Sequence, residues 1–77
     1  MDFEIVGKID NIEIIAIGNK IRILSFLQTE FGRGRWRKLK GTVPVRILSG
    51  EIRHAEIHWF EAHGIGKKFL RIKRYLD

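Results

Sequence analysis

Cysteine is absent from this chain of 77 residues, so neither a disulfide nor a thiolate zinc site can hold it together. A domain this small buries only about 60% of the surface its unfolded chain exposes, and its stability must come from packing. A secreted protein of this size ordinarily carries cysteines, which points to a reducing, cytoplasmic setting. No apolar run approaches the roughly 18 residues of a spanning helix, and Met1-Asp2-Phe3-Glu4 is no basic signal-peptide start. Membrane-bound and secreted readings are therefore poor. Proline occurs once, at Pro44, and no linker or low-complexity stretch divides the chain. The expectation is a single domain over residues 1–77.

Acidic side chains are also scarce, and unevenly so. The net charge is +6. Residues 1–30 hold three basic and five acidic side chains, and residues 31–77 hold twelve and four. Arg33, Arg35, Arg37, Lys38 and Lys40 form one basic run, and Lys67, Lys68, Arg71, Lys73 and Arg74 a second. Neither run contains an acid. One such run reads as a solvated surface; two in so short a chain, with aromatics interleaved, are the footprint of a polyanion partner.

The apolar residues that are present are mostly isoleucine, with thirteen copies. Alternation predicts a first strand over Phe3–Ile9, a turn at Asp10-Asn11, and a nearly continuous apolar strand over Ile12–Ile17, covered on both faces. Asn19 can cap a helix running to Phe31, with Gly32 as its stop and Leu24, Leu27 and Phe31 on its packed side. The competing reading continues the second strand to Leu24 and starts the helix later. Arg35–Lys40 reads as a loop or the start of a strand. Thr42–Leu48 is a third strand, which Pro44 places at an edge or restricts to pairing through its carbonyl side. Ile52–Phe60 and Phe69–Leu76 follow. The fold class is α+β, in the order β-β-α-β-β-β, with an antiparallel sheet and one helix on one face.

Pairing parity assigns the faces, because residues directly opposite share a face. A two-residue turn at Gly64-Ile65 would set Ile57 opposite Ile72, Trp59 opposite Leu70, His58 opposite Arg71 and Glu56 opposite Lys73. A three-residue turn at Ser49-Gly50-Glu51 would set Val45 opposite Ala55 and Arg46 opposite His54. The helix would then cover the Ala55, Ile57 and Trp59 face. The other face would be open and polar, carrying Arg46, His54, Glu56, His58, Arg71 and Lys73. His63 follows in the turn.

Three readings compete for this cluster. In the first, Glu56 and Lys73 form a cross-strand ion pair and the histidines lie at the surface. In the second, the cluster cuts RNA without a metal. Glu56 or His58 would take the 2′-hydroxyl proton, His63 or His58 would protonate the leaving oxygen, and Arg71 and Lys73 would hold the phosphate. In the third, His54, His58 and Glu56 or His63 bind a divalent ion, which the surrounding cations oppose. No resident metal or cofactor is expected. Gly64-x-Gly66-Lys67-Lys68 resembles a phosphate loop but precedes a strand, so it reads as a turn. Trp36 either stacks on an unpaired base or anchors its loop on the core, and Phe60 is a second stacking candidate.

Gly34-Arg35-Trp36-Arg37-Lys38-Leu39-Lys40-Gly41, Ala55 to Lys67 and Ile72-Lys73 together resemble a family of small uncharacterised proteins found mainly in cyanobacterial genomes. The resemblance covers about residues 34–76 and implies no activity. The plan of a helix followed by a basic antiparallel sheet is similar to that of small ribonucleases of the barnase and toxin–antitoxin kind, an analogy of fold only. The functional expectation is a nucleic-acid-binding domain, RNA before DNA, since no helix-turn-helix or zinc-finger pattern is present. Its contacts would come from Arg35, Trp36, Arg37, Lys38, Lys40, Arg46, His54, Lys67, Lys68, Arg71 and Lys73. The alternatives are the metal-independent endoribonuclease, with Glu56, His58 and His63 as catalytic groups, and a module for an acidic protein partner.

Overall fold

The computed structural model describes residues 2–77 and has an α+β architecture dominated by one antiparallel sheet. Strands β1 (Phe3–Ile5) and β2 (Asp10–Ile17) are followed by a 3-10 turn (Gly18–Lys20) and helix α1 (Leu24–Phe31). The meander β3 (Arg37–Ile47), β4 (Ile52–Ala62) and β5 (Gly66–Tyr75) completes the chain, and the sheet curls into a half-barrel.

The first two strands do not form the expected hairpin. Both pair with β3, end to end along the same edge: Phe3 opposite Ile47 and Ile5 opposite Val45, then Asp10 opposite Thr42 and Ile17 opposite Arg37. Asn11 does take a positive φ of 55°, but it does so at a bulge inside β2. This arrangement makes β3 a central strand and still accommodates Pro44. The missing amide donor faces the interval where β1 has ended and β2 has not begun. There the Pro44 carbonyl accepts from the Val6 amide at 3.1 Å.

The turn between β3 and β4 has three residues, as expected, but they are Leu48-Ser49-Gly50. The Ile47 amide donates to the Glu51 carbonyl, and Gly50 supplies the positive φ that closes such a loop. Val43 therefore opposes Ala55 and Pro44 opposes His54, a shift of two that preserves the faces. Between β4 and β5 the turn has three residues, His63-Gly64-Ile65, instead of two. One bulge in β5, at Phe69, then restores the expected register, and a second, at Lys73, departs from it again. Ile57 opposes Ile72 and His58 opposes Arg71, whereas Glu56 opposes Arg74 and Trp59 faces a bulge.

The odd-numbered residues of β3 and β4 build the main core. Leu39, Val43, Val45, Ala55, Ile57 and Trp59 are buried, and Phe3, Ile5, Ile9, Ile47, Leu70 and Ile72 close over them. The sheet covers this face by its own curl. The helix lies instead on the even-numbered face, at one end, where Ile21, Leu27, Trp36 and Ala62 form a second core with Phe31 and Phe60 against it. The helix is also shorter than Asn19–Phe31. Ile21 and Ile23 stiffen the segment before it, and the chain reaches helical geometry only at Leu24, with no side-chain cap. The second strand nonetheless ends at Ile17. It is exposed along most of its length, not covered on both faces: Ile12, Ile14, Ile15 and Ile17 all lie open.

Candidate nucleic-acid interface

The even-numbered face is divided by the helix. Beyond the second core it opens into a groove of about 890 Å³. Lys20, Arg22 and Ile23 line one side, Lys38 and Phe60 the floor, and Phe69, Arg71 and Lys73 the other side. Among the described residues, no carboxylate lines the groove. Its five cations also have no carboxylate within ion-pair distance among the described residues.

Of the ten lysines and arginines elsewhere, five have a carboxylate partner. Arg37 points to the odd-numbered face and is bound by Glu61. Lys40 lies 3.7 Å from Glu13, Arg46 3.4 Å from Glu4 and Arg74 3.8 Å from Glu56. Arg53 is held by Asp77 at 3.0 Å and covers the Tyr75 ring. The basic run at 33–40 thus splits between two faces, because alternate residues of a strand point opposite ways. Of that run, only Lys38 reaches the groove, and Arg35 is exposed in the loop before β3. In the second run, Arg71 and Lys73 line the groove. Lys67 sits 6.0 Å over the Trp59 ring and Lys68 4.9 Å over Phe31.

Trp36 is fully buried, and its indole N–H donates to the Gly32 carbonyl at 3.0 Å. It anchors the loop, and the stacking role considered for it is corrected. Phe60 is half-buried on the groove floor, with the Lys38 ammonium 5.6 Å from its centroid.

Of the proposed catalytic residues, Glu56 and His58 come together and His63 does not join them. His58 occupies the predicted face opposite Arg71 but is only 8% exposed. Its Nε2 meets Glu56 Oε2 at 2.8 Å, and its Nδ1 is buried without a partner. The predicted exposure failed because parity names a face and not what lies over it. The hydrogen bond from His58 holds the Glu56 carboxyl below the usual carboxylate range. Burial opposes this, and Arg74 and Lys40 reinforce it. Glu56 is thereby kept as a structural anion bound on several sides. His63 is exposed in the β4–β5 turn, five residues from His58, a separation of about 16 Å along a strand. His54 is exposed near the opposite end of β4, where its backbone amide binds Asp77 Oδ2 at 2.9 Å. Glu56 and His58 are close enough to act on one phosphate, but they bind each other and His58 is buried, while His63 and His54 lie too far from them to join. The metal-binding reading fails on the same separation, and no group of three metal-ligating side chains converges among the described residues.

Three groove residues were not anticipated. Lys20 and Arg22 fall in the segment read as helix, where a run of Gly18, Ile21 and Ile23 was the available sign of irregular backbone. Phe69 counts in the sequence as an aromatic within the second basic run and as one end of a strand, but not among the expected contacts. No helix among the described residues is long and apolar enough to cross a membrane. Comparison of the chain with protein-family models, curated proteins and solved structures finds no match to any of them.

Proposed function

We propose that the protein binds nucleic acid, RNA before DNA, in the groove between the 3-10 turn and β5. The observation that carries this reading is the concentration, in one groove that also presents Phe60 and Phe69, of five cations with no carboxylate partner among the described residues. A polyanion recovers the energy of bringing like charges together, and each neutralised phosphate releases counterions. The helix supports RNA over duplex DNA by its composition. Leu24–Phe31 contains no lysine or arginine and one glutamate, so it is unsuited to enter a major groove. Arg71, Lys73 and Lys38 are retained from the expected contact set, with Lys20 and Arg22 added. Arg37, Arg46 and Trp36 are engaged elsewhere.

Fluorescence anisotropy with mixed-sequence RNA and DNA oligonucleotides across a salt series tests the reading. The logarithm of affinity should fall linearly with the logarithm of salt, by about 0.7 per phosphate contacted on a single strand. The double variant Arg22→Ala, Arg71→Ala should flatten that slope by about 1.4, one contact per residue, for every sequence alike. Arg46→Ala should leave it unchanged. Absence of binding at low salt, or the same slope in the double variant, overturns the proposal, as does a salt-insensitive complex with an acidic protein alone.

A further inference from the structure

We infer that the groove is built for an unpaired nucleobase stacked on Phe69, so that its ligand class is single-stranded nucleic acid. This rests on the nucleic-acid reading above and narrows it. Among the described residues only Asn11 and Phe69 take a positive φ without being glycine. Asn tolerates the left-handed region, but phenylalanine at φ 57° carries backbone strain of about 1–2 kcal/mol. Core burial does not account for it, since Phe69 remains 47% exposed. A glycine would form the same bulge unstrained.

What the strained backbone achieves is placement. Phe60 opposes Lys68 and His58 opposes Arg71, so Trp59 alone faces the two residues Phe69 and Leu70. The extra residue sets Phe69 at the groove wall, between Lys68 and Arg71. Its ring is braced by three others, with centroids 6.0 Å from Phe26, 5.6 Å from Phe31 and 6.5 Å from Phe60. A half-exposed aromatic ring, fixed by neighbouring rings and flanked by cations with no carboxylate partner among the described residues, is a stacking platform with phosphate sites beside it. A paired base cannot use it, because both faces of a base within a duplex are occupied by its neighbours.

The experiment compares ten-nucleotide oligo-U and oligo-dT with a mixed-sequence RNA duplex of the same length, by anisotropy. Wild type should prefer the single strands. Phe69→Ala should weaken single-strand binding about 5- to 150-fold, with duplex affinity and salt slope unchanged, and Phe69→Trp should restore it. Phe69→Gly relieves the strain, so it should keep the circular dichroism spectrum and the cooperative melt while losing single-strand affinity as Phe69→Ala does. Equal affinity for duplex and single strand, or full single-strand affinity in Phe69→Gly, overturns the inference while leaving the nucleic-acid reading intact. Binding to none of the three overturns both.

Discussion

A methyl group added at Gly41 would stand 2.6 Å from Ile9 Cγ2, 3.1 Å from the Asp10 carbonyl oxygen and 3.4 Å from the Trp59 ring. The isoleucine could shift, but the backbone carbonyl is fixed by the pairing of Asp10 with Thr42. Gly41→Ala should therefore destabilise the protein by about 1–3 kcal/mol, the usual result of overfilling a packed site, without any change in backbone preference. Thermal denaturation measures this, and an unchanged melting temperature would mean that β2 does not lie against β3 as described. The requirement is invisible in the sequence, where Gly41 looks like a loop residue after a basic run. His58 shows the converse. Alternation along β4 placed it correctly beside Glu56 and opposite Arg71, yet alternation carries no information about depth. The same limit applied to Trp36. Its two flanking arginines left base stacking and anchoring on the core equally open, and the indole fills the second core beneath the helix.

Among the elements, the meander was legible because β4 alternates apolar and polar residues so regularly, with Ala55, Ile57 and Trp59 all inward. The β3–β4 face assignment survived a misplaced turn because the error was two residues, which preserves parity. The second strand was misjudged for a physical reason. A continuous isoleucine run signals burial on both faces only when neighbours exist on both sides, and β2 is an edge strand with two register shifts. Those bulges disturb its free edge, a common protection against strand addition. A direct consequence distinguishes the two readings. Ile17, 58% exposed, should accept threonine within about 0.5 kcal/mol, whereas Ile57→Ala should cost about 2–5 kcal/mol. Urea denaturation of both variants checks this. A cost above 2 kcal/mol at Ile17 would mean that the strand is covered in solution.

At the scale of the whole molecule, two thirds of the fifteen lysines and arginines fall into two equal sets, one paired and one gathered in the groove. Arg37, Lys40, Arg46, Arg53 and Arg74 each have a carboxylate partner, while the groove has gathered Lys20, Arg22, Lys38, Arg71 and Lys73, which have none among the described residues. The sequence revealed the excess of cations but not this sorting, which depends on strand alternation, on bulges in β5 and on a turn misread as helix. Like charges held together lower stability, and binding sites commonly carry such a cost. Removing one of them should therefore stabilise the free protein. Arg71 is the suitable position, because it is exposed and, among the described residues, has no carboxylate partner and lies over no aromatic ring whose contact would be lost. At about 10 mM salt, Arg71→Gln should melt about 2–4 °C above wild type, the shift that ~0.5 kcal/mol produces in a domain of this size. At about 1 M salt the Debye length falls to roughly 3 Å, and the difference should vanish. The same replacement at Arg46, which is bound to Glu4, should lower the melting temperature or leave it unchanged. Differential scanning fluorimetry at both salt concentrations separates these outcomes. If Arg71→Gln melts lower than wild type at low salt, then Arg71 is engaged in a stabilising contact within the protein and is not held free for a ligand.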